Sequence, residues 1–185
     1  QLKDLFIHTS LASQYDLITK EQEVDYSEIP VLEKQNGYPL SIMQRRLWIL
    51  SQHEAANIAY NMSGAYVFEG ELDFDALENA FVQLIERHEI LRTSFKENDQ
   101  KEVLQYVTPP EDILFTIKNT DLSQTNETVL EKHLFEDLSA PFDLSSGTLL
   151  KASIYKQSQN RWVFSTVIHH IISDAWSIEI IVKEL

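Results

Sequence analysis

Two long strand-like segments near the end of the chain set the strongest limit on its fold. Residues 149–156 and 161–169 are rich in apolar and β-branched side chains, and the polar stretch Gln157–Asn160 separates them. Two such segments joined by a short polar turn predict an antiparallel pair of strands. Because a sheet of this kind must bury at least one face, helices from elsewhere in the chain are expected to cover it.

The rest of the chain alternates between helical and strand-like periodicity. The class is therefore α/β, with a mixed or antiparallel sheet flanked by helices. Helices are predicted for residues 41–54, for an amphipathic segment capped by Asp73, and for residues 123–139 and 176–185; further strands are predicted for residues 60–70, 91–97, 102–107 and 113–118.

A change in composition divides the chain into three parts. Residues 1–20 form a short amphipathic segment, residues 21–37 are acidic and polar like a linker, and residues 38–185 carry the regular alternation. The last helix has no Gly or Pro stop signal, and the chain does not begin with Met. We therefore expect the natural protein to extend beyond both ends.

Composition narrows the classes of function. The chain has no cysteine, which excludes disulfides and cysteine nucleophiles and fits a cytoplasmic protein. A net charge of −14 argues against nucleic acid as a ligand, because phosphate binding needs a basic surface. No stretch is apolar enough for a membrane span, and the first residues have neither the basic nor the apolar region of a secretory signal.

The segment that concentrates chemically active side chains follows the second long strand. His169 and His170 stand next to each other, and Asp174 follows four residues after His170. Neighbouring side chains on a strand point to opposite faces, so one histidine is expected to face a cleft and the other the interior. Histidine suits proton transfer near neutral pH, and a nearby carboxylate either orients it or holds the turn. A metal site and two satisfied core histidines remain the alternatives.

Three short blocks of the sequence resemble motifs of one protein family, in the same order and at the same spacing. Residues 168–177 resemble the His-His-x-x-x-Asp-Gly signature of condensation domains from nonribosomal peptide synthetases, within the chloramphenicol acetyltransferase-like superfamily. Residues 41–48 resemble the opening block of that family, and residues 87–95 its second block. Two positions depart from the pattern. Met43 replaces the small residue of the opening block. Ala175 replaces the signature glycine, and this replacement is expected to be tolerated if Ala175 lies in the first turn of the last helix.

The resemblance implies roles for individual residues. His170 would face the reaction channel and deprotonate or position the acceptor amine, while His169 would support the turn. Asp174 would form a structural pair with Arg92. The opening-block residues Ser41, Arg45 and Trp48 would stabilise the lobe. No resident cofactor or metal is implied.

The resemblance also implies an activity and partners. Residues 38–185 would be the N-terminal lobe of a two-lobe domain that forms amide bonds between aminoacyl and peptidyl thioesters. The substrates would arrive on the 4′-phosphopantetheine arms of upstream and downstream carrier domains, beside an adenylation domain. Residues 1–20 resemble the end of such a carrier domain. An epimerisation domain and a non-catalytic docking lobe are the alternatives, and this fragment alone is expected to be inactive without the C-terminal lobe.

Overall fold

The chain consists of two compact units, Gln1–Lys34 and Gln35–Leu185. A computed structural model describes residues 2–20 and 30–185, so most of the predicted linker lies outside the described residues. In the first unit, α1 (Leu2–Ile7) precedes α2 (Leu11–Lys20). The side chain of Ser10 accepts a hydrogen bond from the Ser13 amide at 3.2 Å, which caps the start of α2.

The second unit has the mixed α/β architecture that the sequence predicted. Its helices among the described residues are α3 (Ile42–Leu50), α4 (Glu54–Ala59), α5 (Phe74–Arg87), α6 (Glu127–Leu138) and α7 (Ala175–Glu184), with 3₁₀ turns at Glu89–Arg92 and Pro110–Asp112. Its strands are β1 (Tyr38–Pro39), β2 (Asn61–Glu69), β3 (Thr93–Glu97), β4 (Val103–Val107), β5 (Lys118–Asp121), β6 (Leu150–Ser158) and β7 (Arg161–His169).

A four-stranded sheet in the order β2-β7-β6-β5 forms the centre of this unit. Strands β6 and β7 pair antiparallel, which confirms the prediction for the two long segments. Strand β2 pairs antiparallel with β7 and places Asn61 opposite His169, whereas β5 pairs parallel with β6. The sheet is therefore mixed. A second sheet, β1-β4-β3, contains the predicted hairpin.

Both faces of the central sheet are covered by helices. Successive residues of β6 and β7 point to opposite sides, so each face presents apolar side chains for a helix to pack against. On one side, Phe81 of α5 packs its ring against Phe164 and Phe115, with ring centroids 5.8 and 5.6 Å apart. On the other side, Tyr155 and Val163 join a cluster with α6. The helix stripe of α5 predicted from the sequence supplies Phe81, Leu84 and Ile85 to the main core.

Several predicted elements are wrong in their bounds. The helix predicted from residue 123 begins at Glu127, and residues 91–92 of the strand predicted for 91–97 belong to a 3₁₀ turn. The helix predicted for residues 41–54 ends at Leu50, and α4 begins separately at Glu54. The strand predicted for residues 113–118 is irregular up to Ile117, whose backbone amide donates to the Glu78 carboxylate at 2.7 Å instead of to a strand. No helix within the described ranges is long and apolar enough to cross a membrane.

Candidate active site

The end of β7 holds the histidine pair in place through backbone hydrogen bonds from both sides. The His169 amide donates to the Leu149 carbonyl at 3.0 Å, just before β6. The His170 amide donates to the Tyr60 carbonyl at 2.9 Å, just before β2. The two residues are therefore anchored to both neighbouring strands at the point where the sheet ends.

His169 points into the core. Its side chain is fully buried, and its Nδ1 accepts a hydrogen bond from the Ile171 amide at 3.1 Å. The Phe142 ring meets the imidazole edge-on, with centroids 6.0 Å apart. Burial, with a smaller contribution from the charge of neighbouring His170, lowers the pKa of His169 to about 4. His169 is thus a neutral residue of the core at neutral pH.

His170 points to the opposite side, as alternation along a strand predicts, and lines a surface cleft. Its Nδ1 lies 2.7 Å from the carbonyl oxygen of Ser173. Because a carbonyl can only accept, this contact assigns the proton of a neutral imidazole to Nδ1. The lone pair is then on Nε2, which is the arrangement that a general base requires.

Asp174 lies at the start of the helix that follows the histidines. Its carboxylate accepts hydrogen bonds from the amide and the hydroxyl of Ser177, at 2.8 and 2.7 Å, and so caps α7. These two hydrogen bonds lower the pKa of Asp174, with a smaller contribution from His170. The carboxylate is exposed and fixes the turn.

The expected pair between Asp174 and Arg92 is wrong in this structure. Arg92 is buried and uses its Nη1 to donate to the Thr108 carbonyl at 2.6 Å, while its Nη2 lies 3.5 Å from the Glu89 carboxylate. An aspartate directly before a helix is drawn to the free amides of the first turn, and this local contact takes the place of the long-range one. The Arg92 side chain instead connects the 3₁₀ turn at Glu89–Arg92 to Thr108, the residue after β4.

Ala175 is the first residue of α7. Within the described residues, the one non-glycine position with positive φ is Lys101, so the backbone at Ala175 does not require glycine. The replacement of the signature glycine by alanine therefore leaves the turn intact.

The cleft in front of His170 has a volume of about 590 Å³. Its walls come from four places: α3, Tyr60 between α4 and β2, the 3₁₀ turn at Glu89–Arg92, and the segment from His170 to the start of α7. The lining residues are Met43, Gln44, Arg46, Leu47, Tyr60, Ile90, His170, Ile171, Ile172, Ser173, Asp174 and Ser177. No group of three or more histidine, aspartate or glutamate side chains within the described residues is placed to hold a metal ion.

Comparison with known proteins agrees with this geometry. The sequence model of the condensation domain family matches residues 34–185. The chain belongs to the condensation domain family.

Relatives of this condensation domain are far longer than the chain. Tyrocidine synthase 3 of Brevibacillus parabrevis is 36% identical over 183 residues, which cover 99% of this chain and 3% of that protein. Bacitracin synthase 2 of Bacillus licheniformis is 37% identical over 183 residues, which cover 99% of this chain and 7% of that protein. The chain thus spans a small fraction of the curated relatives that it matches.

Solved structures share the fold of this condensation domain. The starter condensation domain of rhizomide synthetase superimposes with a TM-score of 0.71 at 24% identity, over 81% of this chain and 36% of that one. The first condensation domain of the calcium-dependent antibiotic synthetase gives 0.69 at 19% identity, over 80% and 36%. The chloramphenicol acetyltransferase-like architecture predicted from the sequence is therefore confirmed, and the chain spans about a third of these solved chains.

The opening block of this condensation domain, residues 41–48, contains residues that stabilise α3 and others that line the cleft. Ser41 caps α3 through a capping box, in which its side chain accepts from the Gln44 amide and Gln44 in turn accepts from the Ser41 amide. Trp48 packs against the core. Arg45 is exposed and makes no polar contact with any residue that the structure describes, so a stabilising role for it is not visible.

Sequence reasoning missed one charged residue of the cleft, Arg46. The signal was available in the spacing, because Met43, Arg46 and Leu47 share one face of a helix at i, i+3 and i+4. It was missed because the arginine of the opening block was assigned to Arg45, and the sequence alone does not show which face of α3 meets the histidine turn.

Proposed function

We propose that the intact protein forms amide bonds between carrier-bound thioesters, as a condensation domain of a nonribosomal peptide synthetase. The observation that carries this proposal is the state of His170: its Nδ1 is committed to the Ser173 carbonyl, and its ring lines a cleft at the end of the sheet. Family membership over residues 34–185 and relatives that are peptide synthetases support the same reaction class.

The proposed reaction needs one proton acceptor. The amine nitrogen of the acceptor attacks the carbonyl carbon of the donor thioester, and a C–N bond forms. Nε2 of His170 takes the proton that this nitrogen loses. The C–S bond then breaks, the carbonyl re-forms, and the departing sulfur receives the proton from His170. Neither oxidant nor cofactor is consumed, and the products are an amide and a free thiol.

The two other residues expected at the site have positioning roles in this proposal. His169 stays neutral in the core and holds the turn through the Ile171 amide. Asp174 fixes the start of α7 and so the path of the residues after His170. Neither needs to exchange a proton with substrate.

The proposed partners follow from the size of the relatives. A condensation domain embedded in a large synthetase receives both substrates on phosphopantetheine arms of carrier domains and works beside an adenylation domain. The C-terminal lobe would close the second side of the cleft. The assignment of residues 1–20 to the end of a carrier domain and a cytoplasmic location belong to this proposal.

The decisive experiment measures peptide-bond formation by the full-length synthetase with loaded carriers on both sides. His170→Ala should reduce the rate by about 10²–10⁴-fold, since that is the usual contribution of a positioned acid or base. His53→Ala is the matched control, because His53 is exposed and does not line the cleft. An unchanged rate for His170→Ala would exclude the assigned role.

The same assay separates the alternatives. Chiral analysis of the carrier-bound product would reveal inversion at the α-carbon without a new amide if the domain is an epimerase. A wild-type protein that yields neither product with loaded carriers would favour the non-catalytic docking lobe.

A further inference from the structure

The face of α3 that lines the cleft carries a single charged side chain. Met43, Arg46 and Leu47 stand on this face, whereas Arg45 lies about 100° further round the helix axis and does not line the cleft. The capping box at Ser41 fixes where α3 begins, and Leu47 and Trp48 pack against the core. The direction of Arg46 is therefore set by a helix that is anchored at its start and along its buried side.

Arg46 has no polar partner among the described residues. By contrast, Arg87 and Arg161 lie within 3.6 and 3.5 Å of Glu184 and Glu69. The carboxylate in the cleft, Asp174, is occupied by Ser177. In a chain with a net charge of −14, a guanidinium that lines a cleft and has no ion-pair or hydrogen-bond partner among the described residues is available to a group that enters it.

The reaction proposed above places a negative charge in this cleft for a short time. When the amine attacks the thioester carbonyl, the carbonyl oxygen becomes an oxyanion until the C–S bond breaks. His170 accepts a proton but supplies no donor for that oxygen in its Nδ1-protonated form. Donors directed at a developing oxyanion are among the largest contributions to acyl-transfer catalysis.

We infer that Arg46 is a second catalytic residue, whose guanidinium donates hydrogen bonds to the oxyanion that forms as the amide bond is made. The inference rests on the proposed function and adds to it the group that stabilises the transition state. Arginine suits this role because its charge is delocalised over several N–H donors that remain protonated throughout the working pH range.

The test compares Arg46→Gln with Arg45→Gln in the full-length synthetase. Arg46→Gln should lower kcat by about 10²–10³-fold with little change in KM, because the lost interaction exists in the transition state and not in the bound substrate. Arg45→Gln removes the same charge from the same helix outside the cleft and should stay within about twofold of wild type. Arg46→Lys should recover part of the rate, since it keeps a positive donor.

Chemical rescue distinguishes catalysis from a structural role. Adding guanidinium ions at millimolar concentration to Arg46→Ala should restore part of kcat, whereas urea, a neutral molecule of similar shape, should not. A rise in KM with unchanged kcat, or equal rate losses for Arg46→Gln and Arg45→Gln, would overturn the inference. If Arg46→Gln does not fold by its circular dichroism melt, the rate of Arg46→Lys and the rescue of Arg46→Ala decide instead.

The two proposals fail in different ways. If wild-type protein forms amide bonds and His170→Ala does not, the proposed function stands, and an active Arg46→Gln refutes only the role of Arg46. If wild-type protein forms no amide bond with loaded carriers, the proposed function itself fails.

Discussion

The buried histidine of the pair makes the stability of the chain depend on pH in a defined window. His169 is fully buried and its pKa falls from 6.5 to about 4 on folding. Between these values the unfolded chain binds a proton that the folded chain does not, so the free energy of unfolding decreases as the pH falls from about 6.5 towards 4. At about 1.36 kcal/mol per pKa unit the full shift corresponds to ~3 kcal/mol. Relaxation around the charged ring lowers this figure, and we expect a loss of about 2–3 kcal/mol.

His169→Asn isolates this contribution. The asparagine carbonyl can accept the hydrogen bond from the Ile171 amide that Nδ1 accepts in the wild type, but it does not titrate. Urea denaturation at several pH values between 7 and 4 measures the free energy of unfolding of both proteins. Carboxylates such as Asp137 titrate in both, so the difference between the two curves reports His169. The free energy of unfolding of the wild type minus that of His169→Asn should decrease by about 2–3 kcal/mol as the pH falls from 7 to 4. Parallel curves would show that His169 is not buried in neutral form.

Two further changes test the local structure around the site. Asp174→Ala removes the cap of α7 and should lower the melting temperature by about 2–4 °C. Asp174→Asn should melt close to the wild type, because asparagine also caps helices. A much larger drop for Asp174→Ala would mean that Asp174 has a buried charged partner. Asn57→Ala should lower the free energy of unfolding, measured by urea denaturation, by about 2–4 kcal/mol, because the buried Asn57 side chain both donates to and accepts from the backbone of Phe142 at 2.9 Å. As a control, Gln52→Ala at an exposed position should change the free energy of unfolding by less than about 0.5 kcal/mol. Equal effects of the two substitutions would contradict this reasoning.

The parts of the fold that were predictable are those in which local pattern and tertiary structure agree. The strands β6 and β7 form where their apolar and β-branched residues predict them, and Asp73 caps α5 through the Ala76 amide at 2.9 Å. The opposite orientation of His169 and His170 follows from strand geometry alone. Each of these features depends on residues a few positions apart, and such features can be derived without knowing the fold.

The features that were not predictable depend on partners far along the chain. Strand β5 forms at Lys118–Asp121 because β6 offers a parallel edge there, although the more apolar residues precede Lys118. The break between α3 and α4 carries neither Gly nor Pro, the usual signals for a helix end. The predicted partner of Arg92 was also wrong, because the two terminal nitrogens of its guanidinium contact the Thr108 carbonyl and the Glu89 carboxylate and not Asp174.

His170 and the α3 wall of the cleft are attached to different parts of the fold. The His170 amide donates to the Tyr60 carbonyl between α4 and β2, and the His169 amide donates to the Leu149 carbonyl just before β6. The backbone position of His170 is therefore fixed by the sheet. Met43, by contrast, projects from an exposed helical face, where a change of side chain alters the cleft without disturbing those hydrogen bonds. A substitution at Met43 is therefore expected to change the shape of the cleft while the backbone position of His170 stays the same.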